Sequence, residues 1–592
     1  MPEAASLALV PIVFALTVFG PGFLLVRRAG WTPLETATGA LALSILLVGL
    51  VSFGFGIASV PVAGRAVLLA GCVLATLVAA PAVADVVRRD AEARRALAWF
   101  GLLALWGVSL QALVRNYSGG NIVYDWLDHY ERAKFFLGWQ PVDKLFSGAL
   151  LTARPPLMNA FAAQLLAVTS SRFAGYQLTV ALLGLLAYWP ILLVARLFCR
   201  PATADGESAA ARGLPRTVAI VLMFQPMFLE NVSYSWTRMT AVFFVLAAVG
   251  FYVEGWRRGD LTRTVFAFVC GAAAILTHYS SAPYILFLAL HQLFFVLPAR
   301  PRMWRELTTI ALAGTLVLAP WLTWAGSVYG AGTLLSAGLA SSGKPLPTAG
   351  ANLAKAALNL RDTFVPPLLR DVPRDAGAPG SGWGRLRDEA FLMYQGNLPF
   401  ALGSLGVVLL VLEALRSRRS RRSRPPAPSQ PDPWVFWIAL AAFVIVTGIG
   451  VQGSREPLGL AHTAQQPLVM IGVAFLASRF GAWPRWLRVL AAAGFLVDAC
   501  FGVLLQFWLQ SYPLDLPSDW RGPLGLTLRD LSLMMAGWNW GNKIGGGHRF
   551  VADVLSGAAW IPFVTAAIVF AAGTVALLRL AWRGPEPAAP HS

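Results

Sequence analysis

The sequence predicts an all-α polytopic membrane protein with about 13–15 transmembrane helices, at roughly 20 apolar residues per span. Two observations predict this class. Of 592 residues, 57% are hydrophobic and only 13% charged, with a mean hydropathy of +0.62, and a soluble chain of this length needs far more polar surface. The net charge of +18 comes from Lys and Arg gathered in short loops between apolar stretches, the distribution in which cytoplasmic loops retain positive charge. That distribution accounts for the basicity and leaves no role for nucleic acid.

The apolar stretches fall near residues 6–26, 38–60, 64–86, 97–115, 173–197, 215–229, 236–256, 263–278, 281–298, 306–328, 396–415, 434–453, 461–478, 486–509 and 556–580. The first reads as a transmembrane helix and not a cleaved signal, because its arginines follow the apolar run. If Arg88–Arg95 is cytoplasmic, strict alternation puts Arg27–Arg28, Arg196–Arg216, Trp256–Arg263, Ala299–Glu306, Arg416–Arg424, Arg479–Arg488 and the C-terminal tail on the same side. Every strongly basic short loop then agrees with the positive-inside rule. The outer face receives residues 116–172, 230–235, 279–280, 329–395, 454–460 and 510–555. The four cysteines, Cys72, Cys199, Cys270 and Cys500, lie in or at the ends of apolar stretches without metal-site or disulfide spacing.

This organisation divides the chain into additional N-terminal helices (1–96), a transmembrane core (97–415), a basic Pro- and Ser-rich cytoplasmic linker (416–433) expected to be disordered, and a C-terminal bundle (434–592) with an outer loop near 510–555. Chemistry belongs in the outer segments, beginning with "NIVYDWLDHYERAKFFLGWQ" at 121–140. A helix over Tyr124–Leu137 puts Trp126, Tyr130, Ala133 and Leu137 on one face. Asp125, Asp128, His129 and Arg132 share another. Such a helix is suited to lie at the membrane surface, and its charged face serves equally as a wet side or as a chemical site. About twenty residues on, Arg154-Pro155-Pro156-Leu157 opens a second apolar helix, with an extended residue before the prolines.

An acidic helix after a transmembrane span, followed by a basic residue before Pro-Pro-Leu, resembles the GT-C glycosyltransferases, in particular the aminoarabinose-transferase and protein O-mannosyltransferase branch. The resemblance covers residues 97 to 330. There the first outer loop opens with an Asp, commonly followed by Glu, and a Lys-Pro-Pro-Leu motif follows. Here Trp126 follows Asp125, and Arg154 replaces the Lys. The resemblance leaves a divalent metal open, yet Ala153 stands where aminoarabinose transferases carry a metal-binding Glu, so metal dependence does not carry over and no metal ligand is assigned.

Other outer junctions add candidates. Arg238 sits at the mouth of a helix in "SYSWTRM", as an interfacial anchor or a phosphate contact. His278 and Tyr279 form a tight turn, as an interfacial pair or, as similar turns do in the GT-C family, facing the donor phosphate. His462, with Arg455 and Glu456, surrounds another turn, where Gln465-Gln466 replaces the Arg-Tyr of many relatives. Trp538 and Trp540 lie in the last outer loop, as acceptor contacts or as members of an interfacial aromatic belt. Asp498 falls near mid-span and requires a partner, with His291 as one choice.

The resemblance implies a transferase that moves a sugar from a polyprenyl-phosphate-linked donor to an acceptor hydroxyl, with inversion. It would work on the outer face of a prokaryotic cytoplasmic membrane. The acceptor is a lipid, a polysaccharide or a protein. Asp125, with Asp128 as rival, is the expected base. Arg154, Arg238 and His278 are expected to stabilise the leaving phosphate, with His129, Arg132 and Tyr279 lining the site. Two other classes remain open: a transporter or lipid flippase, which should carry ionisable groups or broken helices near the membrane midplane, and a non-catalytic scaffold of envelope assembly.

Overall fold

The computed structural model describes residues 3–114, 117, 125–138, 141–146, 149–169, 172–199, 209–334, 348–366, 369, 393–422, 433–450, 464–505 and 549–583. Regular structure among them is helical, apart from one isolated bridge between Phe146 and Ala149. Nine helical stretches among the described residues are long and apolar enough to cross a membrane, and Leu157–Val168, Leu261–Thr277 and Trp434–Ile449 are shorter apolar helices. The protein is a polytopic, all-helical membrane protein.

Helices α1 (Glu3–Val18) and α2 (Gly20–Val26) make the first crossing, followed by α3 (Pro33–Ile57) and α4 (Val62–Arg89). Thr32 and Glu35 form a capping box at the start of α3, satisfying two backbone donors that the helix leaves unpaired. Glu35 also receives the guanidinium of Arg263 in two bonds of 2.7 and 3.0 Å. Small residues let α3 approach its neighbours closely. A Cβ on Gly49 would meet the Leu157 side chain at 2.5 Å, and one on Gly56 would meet the Phe136 carbonyl at 3.0 Å. Ser52 Oγ donates to the Ala160 carbonyl at 2.6 Å.

Helix α5 (Ala91–Gln111), capped by Asp90, leads to α6 (Asp125–Phe136) and α7 (Leu157–Val168). Then come α8 (Phe173–Leu185) and α9 (Tyr188–Leu197), which together form one crossing. The apolar stretch expected near 215–229 is not one helix. It breaks at Gln225 between α10 (Ala209–Met223) and α11 (Pro226–Ser233). Gln225 Oε1 accepts the Phe228 N–H at 2.6 Å and caps α11, with Pro226 in the first turn, where no N–H is needed.

Helix α12 (Arg238–Arg258) is buried along almost its whole length, as expected of a central helix that is apolar all round. It ends at Gly259, whose φ of 67° suits glycine, and returns as α13 (Leu261–Thr277). Next follow α14 (Ala282–His291), α15 (Met303–Tyr329) and α16 (Ala349–Phe364). The last helices are α17 (Gly406–Arg422), α18 (Pro433–Val444), α19 (Gln465–Phe480), α20 (Arg485–Asp498) and α21 (Trp560–Arg583). Helix α17 carries the first arginines of the basic segment as helix, and 423–432 lie outside the described residues. Helices α4, α15 and α21 bury little of their surface and present apolar side chains outward.

One expectation about a mid-span pair is corrected. Asp498 does not meet His291. It accepts from the Ser404 N–H at 2.9 and 3.0 Å and from Tyr394 Oη at 3.3 Å. His291 instead bonds Tyr252 Oη at 2.7 Å. The reason is local: Gly403, at φ 102°, brings the backbone up to the carboxylate, where a Cβ would lie 2.8 Å from Asp498 Oδ2.

Candidate active site

Helix α6 runs over nearly the residues its periodicity predicts, but its polar face is not wet. Asp128, His129 and Arg132 are buried, at 7%, 3% and 1% exposure, as are Trp126, Tyr130 and Ala133 on the apolar face. The helix lies against α7 and α3 inside the bundle. Buried charges must be paired or hydrogen-bonded, and these are. Asp128 Oδ2 takes the Arg132 Nε–H at 2.9 Å, one turn along the helix. Arg132 Nη1 reaches on to the carbonyls of Leu151 (2.7 Å) and Leu150 (3.3 Å), and its guanidinium lies 4.7 Å from the Phe146 ring centre.

Those carbonyls belong to a 3₁₀ turn, Leu151–Ala153, that ends on Arg154. The turn is held from a second side by Tyr279, whose hydroxyl donates to the Thr152 carbonyl at 3.1 Å and accepts from Trp321 Nε1 at 3.4 Å. Arg154 is extended, at φ −133° and ψ 133°, as a residue before proline must be. Its Nη2 lies 3.6 Å from Asp125 Oδ1, and both side chains are a little over a quarter exposed. Of the two acids, Asp128 is buried in an ion pair, whereas Asp125 stands at the open edge.

Arg238 opens α12, and its guanidinium carbon lies over the Trp236 ring, 3.6 Å from its centre. Tyr117 fixes the wall beneath. Its hydroxyl donates to the Ser233 carbonyl at 2.8 Å, lies 2.9 Å from Ser235 Oγ and accepts from Gln177 Nε2 at 2.9 Å. Its ring packs between Trp126 and Tyr234. Burial pushes the Tyr234 hydroxyl well above its ordinary pKa, the Asp125 charge pushes it further, and Arg238 opposes.

Two imidazoles complete the cluster. Burial, then the charges of Arg154, Arg132 and Arg238, hold His129 well below its ordinary pKa. Its Nδ1 lies 3.4 Å from Asn159 Nδ2, and Asn159 Oδ1 accepts from Tyr176 Oη at 3.3 Å. His278 is likewise held well below the usual histidine range, by burial first and then by Arg154, Arg238 and His129. Its Nδ1 receives the Ser280 N–H at 3.2 Å and lies 2.8 Å from Ser280 Oγ. The network therefore assigns the ring proton to Nε2. Held below its ordinary range, the His278 ring is uncharged at neutral pH.

No known family model matches the chain, and no curated protein matches it. Solved structures similar to the chain include two of one protein. The crystal structure of ArnT from Cupriavidus metallidurans bound to undecaprenyl phosphate is 17% identical, with a TM-score of 0.43 over 82% of this chain and 77% of that one. The apo structure of the same protein is 17% identical, with a TM-score of 0.41 over 81% and 75%. At this distance the likeness assigns no residue and no activity to this chain.

Eight of the sequence candidates thus come together: Asp125, Asp128, His129, Arg132, Arg154, Arg238, His278 and Tyr279. His462, Trp538 and Trp540 lie outside the described residues. Among the described residues no group of three or more His, Cys, Asp or Glu side chains is placed to hold a metal ion. The donor set at Asp125 also fits a divalent cation poorly, with Arg154 against the one open carboxylate, Asp128 committed to Arg132, and alanine at 153. The supporting residues Tyr117, Asn159 and Gln177 were missed by sequence reasoning. Asn159 and Gln164 did leave a signal, since amides inside the apolar run "LMNAFAAQLLAV" require partners.

Proposed function

We propose that this protein is a GT-C-type glycosyltransferase that moves a sugar from a polyprenyl-phosphate-linked donor to an acceptor hydroxyl on the outer face of the membrane. The observation that carries the reading is the meeting of Asp125 and Arg154 at 3.6 Å, partly open, beside Arg238 and two neutral imidazoles. A carboxylate at the rim of a cationic cluster offers a base next to a phosphate site.

In the proposed step, Asp125 takes the proton of the acceptor hydroxyl while its oxygen forms a bond to the anomeric carbon. The bond from that carbon to the donor's phosphate oxygen breaks, the electron pair stays on the phosphate, and the sugar inverts. Arg154 and Arg238 receive the developing phosphate charge, which suits guanidinium forks. The Nε2–H of His278 is a neutral third donor. Asp128 and Arg132 position the turn that carries Arg154 and do not touch substrate.

The deciding assay is turnover of a polyprenyl-phosphate-linked sugar by purified protein, read as new glycoside by mass spectrometry. Asp125→Asn preserves shape and removes the base, so it should form no product; normal turnover would refute the reading.

One observation favours a transporter as the second reading. The α10–α11 break lies beside buried Glu230, whose Oε2 accepts from Gln395 Nε2 at 2.9 Å, while Asn231 Nδ2 donates to Gln395 Oε1 at 2.9 Å. Broken helices with buried ionisable groups mark transport paths. In sealed vesicles a transporter moves the lipid-linked sugar across the membrane without forming a new glycoside, which separates the two.

A further inference from the structure

A cavity of about 590 Å³ opens where the turn between α3 and α4 meets the ends of α6 and α7 and the start of α8, lined among others by Ser59, Arg65, Leu137, Gly138, Thr169 and Arg172. Arg65 is 1% exposed and has no carboxylate partner among the described residues. Its Nη1 donates to Ser52 Oγ at 3.2 Å and its Nη2 to the Phe136 carbonyl, both neutral acceptors. Arg172, on the far wall, shares the Glu3 carboxylate with Arg549, at 2.6 and 2.7 Å. Arg65 and Arg172 thus both stand in the walls of the cavity.

A buried guanidinium without a counter-ion is costly, and it lines a space large enough for a multi-oxygen anion. Beside the opening, α4 turns Val62 and Val67 outward, at 60% and 71% exposure, so a hydrocarbon chain attached to that anion has an apolar surface to lie on. From these features we propose that the cavity binds the phosphate headgroup of a membrane lipid, with Arg65 and Arg172 as its cations. Arginine forks suit phosphate oxygens, and basic pockets between transmembrane helices hold lipid headgroups. Gly138 lies thirteen residues beyond Asp125 along and just past α6, about 20 Å at 1.5 Å per residue. The cavity is therefore separate from the candidate active site, and the proposal holds whether or not the chain is a transferase.

Native mass spectrometry of the full-length chain tests it, in an Arg154→Ala background that weakens the other phosphate site. The probes are phosphatidylglycerol, a polyprenyl phosphate, diacylglycerol and inorganic phosphate. Either or both phosphate lipids should bind, diacylglycerol should not, and Arg172→Gln should weaken binding about tenfold, the order of a lost charge-assisted hydrogen bond. Preference for phosphatidylglycerol assigns a phospholipid, and preference for the polyprenyl phosphate assigns a carrier lipid. Arg65→Gln should do more and Arg65→Lys less; where Arg65→Gln fails to fold, the exposed Arg172 variant decides. Diacylglycerol binding as tightly as the phosphate lipids, inorganic phosphate competing at equal affinity, or unchanged lipid binding in a folded Arg172→Gln chain would each overturn the proposal.

Discussion

Arg132 Nε lies 2.9 Å from Asp128 Oδ2 with both side chains buried, and the same guanidinium binds the turn that presents Arg154 to Asp125. One acid is therefore held in a buried ion pair and the other stands at the open edge. Their asparagine variants should fail differently. Asp128→Asn leaves a buried guanidinium without its counter-charge, a loss of up to about 3–5 kcal/mol for a broken buried pair, so both melting temperature and turnover should fall. Asp125→Asn should keep the melting temperature and lose turnover. Thermal-shift and product-formation measurements on the pair check this, and the opposite pattern would exchange the two roles.

Arg154 separates charge from geometry. Lysine keeps the charge and loses the fork, so Arg154→Lys should retain partial turnover while Arg154→Ala loses most of it. A charge-assisted hydrogen bond is worth roughly 1.5–3 kcal/mol, so the alanine variant should bind free polyprenyl phosphate about ten- to a hundred-fold more weakly. Equal binding by the parent and the alanine variant would move the phosphate site to Arg238 and His278.

The imidazoles set a pH dependence. His129 and His278 titrate below their ordinary value of about 6.5 in the folded protein. As pH falls, the unfolded chain takes up protons first, so stability is complete above about 6.5 and is lost below it. The melting temperature should drop between pH 7.5 and 5.5, and His278→Gln should flatten part of that drop. A parent protein with the same melting temperature at both pH values would contradict the neutral assignment.

Tyr279 holds the turn that ends on Arg154, and it is expected to act through that turn. Tyr279→Phe removes the bond to the Thr152 carbonyl, worth about 1 kcal/mol, and should lower turnover several-fold by loosening Arg154. In an Arg154→Ala background the same change should cost almost nothing more, because the two residues share one path. Additive losses in the double-mutant cycle would give Tyr279 a role of its own.

Sidedness follows from charge. Asp143→Cys and Arg302→Cys, both at exposed positions, should label from opposite sides of sealed vesicles, Asp143 from outside. Labelling of both from one side would overturn the topology on which an outer active site depends.

Much of this molecule is local and therefore legible without coordinates. Hydropathy is a property of consecutive residues, so most crossings appear where the apolar stretches lie, and the 3.6-residue period places α6 almost to its ends. Arg154-Pro155-Pro156 reads as an extended residue before a helix because proline sterics act on its immediate neighbour. Tertiary structure alone decided the rest. It buried the face of α6 that an isolated amphipathic helix would keep wet, because α7 and α3 both pack against it, α3 coming close at Gly56. It chose Asp128 for the ion pair and left Asp125 open, although the sequence offers both acids on one face. It gave Asp498 to Ser404 and Tyr394, held the His278 pKa down by burial and by the charges of Arg154 and Arg238, and buried Arg65 with no carboxylate partner among the described residues. Each of these outcomes depends on residues distant in the chain meeting in a low-dielectric interior. There burial and pairing fix charge state and role, and no local sequence pattern encodes which partner arrives.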